Sequence, residues 1–275
     1  MLGSLLPSEM KKDWKKSWLW KTVRLLAIAY GTLALFACTL ADRMLFIPPP
    51  PSYSLSDEGL VQFGTDKEFA GFYFPAEKEE APILLWAHGN GEDAGQVLPV
   101  ALQLNQMGLG LMVYEYAGYG LSEGKPSEPG TYRSADRAFE FLVQEKKKKP
   151  EQIILIGQSV GSGPSTYLAE KEKAAGLVLI SPFKSAFRVV TKVKLLPWDR
   201  FDNFKRMKNV ELPLLVVHGD ADEVVPFSHG QALFARHQGE KKFVRLEGVG
   251  HNNLWAQSAD EVFAEIVAFA DQVDK

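Results

Sequence analysis

A serine, an aspartate and a histidine occur in this sequence at positions where they could form a single activated nucleophile. Residues Gly157-Gln158-Ser159-Val160-Gly161 spell G-x-S-x-G. Four branched apolar residues, Ile153 to Ile156, precede them and read as a strand buried on both faces. A helix is expected to follow, from Pro164 through Glu172. A strand that turns abruptly into a helix holds its turn residue in a strained conformation, and glycine at the flanking positions lets the backbone pass that closely. The Ser159 hydroxyl would then stand exposed above the sheet, in front of the positive end of the new helix.

A serine hydroxyl attacks poorly until a base takes its proton, and the base needs a third group to fix its tautomer. With such an elbow the partners follow the serine as acid and then histidine, on loops at the ends of later strands. Two stretches fit. Leu214 to Pro226 is a strand leaving into an acidic loop that holds Asp220 and Asp222, and Glu247 to Asn252 places His251 between glycine and asparagine after the last strand. These residues alone leave Asp220 and Asp222 as competitors. His88 and His218 each stand before a glycine at a strand end, where a ring braces the loop. His229 and His237 read as lying on a surface helix, and Glu223 as solvated. Acyl transfer also needs donors for the developing oxyanion, and losing one costs about 10²–10³ in rate. The Val160 N–H is one by elbow geometry. The Asn90 N–H, in the turn His88-Gly89-Asn90-Gly91, is the expected second. The same turn also reads as a simple loop that exposes backbone N–H groups.

Strands and helices must carry these residues. Residues 60–74 read as leading antiparallel strands. Strands are expected at 81–87, 109–115, 153–156, 176–180, 214–217 and 243–246, with helices at 96–107, 132–146, 164–172, 228–237 and 258–273. Such alternation implies a mostly parallel central sheet with helices on both faces, an α/β fold. Residues 182–210 interrupt the rhythm and form a cap insert too small for a lid domain, so the site should be open.

The N-terminal region is organised differently. Residues 25–41 carry no charge and approach the length of a membrane span. Upstream, Lys11, Lys12, Lys15, Lys16, Lys21 and Arg24 outweigh Glu9 and Asp13. That excess keeps the leader, 1–24, in the cytoplasm and delivers the downstream chain to the other side. Segment 25–41 is therefore expected to hold the chain in a lipid bilayer as an uncleaved signal-anchor. A cleaved secretory signal and a lipoprotein box acylated at Cys38 are the alternatives. Residues 42–59, with Pro48 to Pro51, read as a stiff linker, and 60–275 as the catalytic domain. The net charge of −3 gives no basic field for nucleic acid. One cysteine excludes an internal disulfide framework, and the absence of zinc-site spacing argues against a structural metal; no cofactor is expected. The oligomeric state is not legible.

Taken together, these residues resemble the α/β-hydrolase superfamily, and within it the branch of α/β-hydrolase-domain protein depalmitoylases with their membrane-anchored bacterial relatives. The resemblance is carried by His88-Gly-Asn, Tyr114 to Ser127, Gly157 to Gly161, Ser181-Pro182, His218 to Val225, Phe227 to Gly230 and Gly248 to Asn252. It implies the α/β-hydrolase fold and a metal-independent serine hydrolase of esters or thioesters. It also places the acid on Asp222, the aspartate before Glu-Val. The depalmitoylases begin with a cysteine-rich acylated segment and work at the cytosolic face, whereas this chain has one cysteine and charge flanks that point to the other side. Acyl-ester hydrolysis carries over better than depalmitoylation. A serine peptidase of the same fold is a rival reading, although such enzymes usually carry an added substrate-positioning domain. A non-catalytic binding protein on a hydrolase scaffold is another, and all three triad positions are filled here.

Overall fold

The computed structural model describes residues 8–39, 41–191 and 196–274, and only the backbone of 8–16, 37–39, 44 and 190. The chain divides into two compact units, Met1–Met44 and Leu45–Lys275. The first holds one continuous helix, α1 (Ser8–Thr39). Its segment Ser17–Phe36 is long and apolar enough to cross a membrane. Leu25, Leu26 and Ile28 on it are exposed. Residues 1–7 of the expected leader, residue 40 of the expected anchor and the Cys38 side chain lie outside the described residues. A short helix, α2 (Ala41–Leu45), comes next.

The second unit is built on an eight-stranded sheet in the order β1-β2-β4-β3-β5-β6-β7-β8. The hairpin β1 (Leu60–Phe63) and β2 (Phe69–Phe74) is antiparallel, and β2 joins β4 antiparallel. From β4 (Gly110–Tyr114) through β3 (Ile83–Ala87), β5 (Ile153–Gln158), β6 (Gly176–Ile180), β7 (Leu214–Gly219) and β8 (Lys241–Leu246), all pairs are parallel. The α/β-hydrolase fold expected from the sequence is present.

Alternation along β5 shows why this strand reads as continuously apolar. Ile153 and Leu155 enter one core, with helices α4 (Glu128–Glu140), α5 (Ser162–Lys171) and α8 (Ser228–Arg236). Ile154 and Ile156 enter the opposite core, with α3 (Ala94–Gln106) and α9 (Leu254–Val273). Each fully buried branched side chain contributes about 1.5–3 kcal/mol relative to exposure, so a strand paired on both edges and covered on both faces is the most secure support available to a strained turn.

The register aligns the functional loops. Ala87 at the end of β3 pairs with Tyr114 of β4 on one side and Gly157 of β5 on the other. The residues just beyond the first two, His88 and Glu115, and Ser159, one residue past the Gln158 that ends β5, therefore leave the sheet close together at its carboxyl edge, where open α/β sheets bind their ligands. The insert holds two short helices, α6 (Ala186–Thr191) and α7 (Asn203–Arg206), and its residues 192–195 lie outside the described residues.

Three features differ from the expectations raised by the sequence. Helix α9 begins at Leu254, and its backbone leaves helical geometry at Ser258, where the sequence places the helix start. His229 and His237 are buried, not on a solvated surface, because α8 lays this side against β7 and the insert. The compact unit starts at Leu45, within the stretch that reads as a linker: Phe46 is 4% exposed and contacts Tyr119 and Phe201 edge-on.

Candidate active site

Ser159 sits at the turn from β5 into α5 with φ +51°. L-residues pay for this left-handed geometry with a close approach of Cβ to the carbonyl oxygen, and the two glycines make it possible. A Cβ on Gly161 would run into the Ala87 carbonyl, and one on Gly157 into the Gly161 carbonyl. The turn is closed by the Ser162 hydroxyl, which donates to the Ser159 carbonyl over 2.6 Å.

The downstream loops bring the two partners to this serine. His251 Nε2 lies 3.0 Å from Ser159 Oγ, and its Nδ1 lies 2.7 Å from Asp222 Oδ2. The remaining Asp222 oxygen accepts the N–H groups of Val224 and Val225 at 2.9 and 2.7 Å. Burial opposes ionisation of Asp222, but hydrogen bonds from His218 and His251, the His251 charge and the Val225 N–H outweigh it. They hold the carboxyl well below the usual carboxylate range. Asp222 is thus an anion that accepts from His251 Nδ1–H, which turns the other ring nitrogen, Nε2, toward the serine.

Asp220, the competing acid, is turned away from His251. It binds Arg245 through Nε at 2.9 Å and accepts the Gly248 N–H at 2.7 Å, tying the loop after β7 to the one after β8. Glu223 is not simply solvated, because its carboxylate accepts the His251 N–H at 3.2 Å. His218 bridges the Val225 carbonyl at 3.0 Å and Asp222 at 3.3 Å from the same Nε2. Its role as a loop brace is legible from the glycine beside it. The grip of Glu223 on His251 is not, because the two residues meet only through the tertiary fold.

The second strand end is organised around His88. Its Nδ1 faces the Gly89 carbonyl at 2.7 Å and its Nε2 faces Glu115 at 3.2 Å. Both neighbours are acceptors, so both ring nitrogens carry protons. Burial works against that charge, but the hydrogen bond and charge of Glu115 prevail and raise the His88 pKa. Glu115 also accepts the Tyr53 hydroxyl and the Ala94 N–H, each at 2.8 Å. Breaking a buried ion pair by removing one partner costs about 3–5 kcal/mol, so Glu115→Gln should lower unfolding free energy by about 3 kcal/mol. Linkage sets the sign with pH. A raised histidine pKa gives stability that is complete below the unfolded value of about 6.5 and is lost as pH climbs through the folded one. Urea titrations of both proteins between pH 6 and pH 9 should therefore show the gap narrowing toward alkaline pH, and a constant gap would refute the charged pair.

A pocket of about 490 Å³ opens onto these residues. Leu45, Phe183, Val189, Val224 and Trp255 supply its apolar wall, and Ser159, His251 and Asn90 are among its polar lining. Trp255 is oriented by an Nε1–H donation to Gln158 over 3.0 Å. Among the described residues, no cluster of His, Cys, Asp or Glu has the makings of a metal site.

Comparison with known proteins places this arrangement. The chain is 33% identical over 257 residues to alpha/beta hydrolase domain-containing protein 17B of Xenopus laevis, an alignment that covers 80% of this chain and 89% of that protein. It belongs to the alpha/beta hydrolase domain-containing protein 17 family. A further relative, the alpha/beta hydrolase domain-containing protein aho-3 of Caenorhabditis elegans, is 39% identical over 252 residues, covering 82% of this chain and 76% of its own length. Residues 78–200 of this α/β hydrolase also match the family model described as serine aminopeptidase, S33. Among solved structures, an esterase of Pyrococcus furiosus superposes with a TM-score of 0.65 at 15% identity, over 83% of this chain and all of that one. That likeness concerns the fold.

Proposed function

We propose that this α/β hydrolase is a membrane-anchored serine hydrolase that cleaves carboxylic ester or thioester bonds through an acyl-enzyme. The reading rests on the hydrogen-bonded run Ser159–His251–Asp222 beside an apolar pocket. In this mechanism Ser159 Oγ attacks the acyl carbonyl carbon while His251 Nε2 takes its proton. The oxyanion develops against the N–H groups of Val160 and Asn90. Collapse expels the alcohol or thiol, which leaves with the proton that His251 returns to it. Water then adds to the acyl-enzyme with His251 again as base, and the second collapse releases the acid and restores the Ser159 hydroxyl. Asp222 holds the imidazole in the required tautomer and balances its transient charge. No metal or cofactor takes part in this scheme.

Residues 25–41 serve as the bilayer anchor in this reading, supported by the apolar helical segment Ser17–Phe36, which covers the greater part of them. The basic excess upstream puts the catalytic unit on the non-cytoplasmic side. A peptidase reading has one observation in its favour, the description of the matching family model.

The test uses the full chain in detergent with p-nitrophenyl esters from acetate to palmitate, aminoacyl p-nitroanilides in parallel, and a fluorophosphonate probe. Ester turnover with the probe attached to Ser159 is the expected result. Turnover of the anilides alone would move the assignment to peptidase, and folded protein that takes no label at Ser159 would defeat both.

A further inference from the structure

The stretch Leu45 to Tyr53 is more than a connection to the catalytic unit. Phe46 is seated between Tyr119 and Phe201, and Leu45 lines the pocket. The next N–H, that of Ile47, donates to Asn90 Oδ1 at 3.0 Å and shares its proton with the Tyr119 hydroxyl at 3.1 Å. The Tyr119 hydroxyl donates to the same Asn90 oxygen at 2.8 Å. These three groups close a ring of hydrogen bonds around one side-chain oxygen. Tyr119 is buried, and burial raises its pKa well above the ordinary value, so its proton stays available for Asn90.

Four prolines, Pro48 to Pro51, come next, with fixed φ and no N–H of their own. The chain is then pinned again: the Ser52 N–H and hydroxyl both donate to the Asp93 carboxylate at 2.6 Å. Asp93 caps α3 by accepting the Gln96 N–H. The loop from His88 to Asp93 is thus bridged by a rigid strap fastened at Asn90 and at Asp93. Asn90 needs this support, because it lies between two glycines and a Cβ on Gly91 would meet nothing within 4 Å.

We propose that the strap is a positioning element for the oxyanion site, with Ile47 and Tyr119 acting through the Asn90 side chain to aim the Asn90 N–H. This rests on the reading of that N–H as an oxyanion donor. Misplacing a group by about 1 Å can cost up to about 10²-fold in rate, and the Ile47 and Tyr119 contacts act on the oxyanion donor and not on the apolar wall of the pocket, so the loss belongs in kcat more than in KM.

The experiment takes full chain in detergent with p-nitrophenyl acetate and four single variants, Ile47→Pro, Asn90→Ala, Tyr119→Phe and Ser159→Ala. Ile47→Pro deletes the N–H of a residue that is 61% exposed, and Asn90→Ala deletes the acceptor while keeping the backbone donor. The first three are expected to lower kcat about 10–100-fold, with KM within about threefold and unfolding temperature little changed. The Ile47→Pro/Asn90→Ala double variant should lose no more than the worse single, because both remove one interaction. Should Ile47→Pro fail to fold, Tyr119→Phe replaces it in the cycle. Near-parental kcat in these variants, or losses that multiply in the double, would overturn the strap's role while an inert Ser159→Ala left the hydrolase reading standing. Parental rates in Ser159→Ala would remove that reading and the strap's role with it.

Discussion

Ser159→Ala is expected to lower kcat for p-nitrophenyl esters by about 10³-fold or more while leaving the fold intact. Alanine faces the same left-handed backbone requirement as serine, so the elbow glycines and the Ser162 closure continue to serve it. His251 and Asp222 keep their 2.7 Å contact without the hydroxyl. What disappears is the covalent route, and what remains is the background rate that the oxyanion donors and pocket give to water. Steady-state kinetics on the two proteins, matched by circular dichroism, make the comparison. A variant that retains parental turnover would mean that another residue carries the chemistry.

Asp222→Asn should cost about 10⁴-fold in kcat with a small change in KM. An asparagine can still accept the N–H groups of Val224 and Val225 through its oxygen. Its amide would then face His251 Nδ1 as a donor, which forces the imidazole proton onto Nε2. The histidine would present a proton to Ser159 where it must accept one. The amide would also face His218 Nε2, whose hydrogen is shared between the Val225 carbonyl and the Asp222 carboxylate in the parent, and would lose that second acceptor. Asp220→Asn is the informative contrast, since that carboxylate is occupied by Arg245 and Gly248 on an exposed edge. Equal losses from the two substitutions would contradict the placement of Asp222 alone against His251.

Much of this site is legible in the residues themselves. The run Ile153 to Ile156 is apolar without a break because both faces of β5 are covered, and that signal survives in the sequence. The elbow and the two downstream loops are local patterns with fixed chemistry, so Ser159, His251 and an acid in the loop after β7 stand out as candidates in the sequence. The choice between Asp220 and Asp222 needs either the family pattern or the loop geometry, since spacing fits both. The contributions of Phe46, Ile47 and Tyr53 are out of reach for a physical reason. Four prolines carry no periodicity and read as a spacer, while the groups that hold them, Asn90, Asp93, Glu115 and Tyr119, lie 41 to 72 residues further on. His229 illustrates the converse failure. A polar residue on an amphipathic helix suggests exposure, yet its Nδ1 accepts the Lys184 N–H at 3.3 Å. Burial, with the Lys184 charge beside it, brings its pKa down to about 4, so it stays neutral.

The positive φ at Ser159 also bears on how stable this protein can be. A non-glycine residue in that region costs on the order of 1–3 kcal/mol, and glycine would adopt the same backbone without it. In the proposed mechanism this is also the residue that carries the reactive hydroxyl. Selection for durability and selection for turnover therefore pull this position in opposite directions. The fold tolerates a weak point at this proposed nucleophile, and the covered strand beneath it supplies the margin that makes this possible.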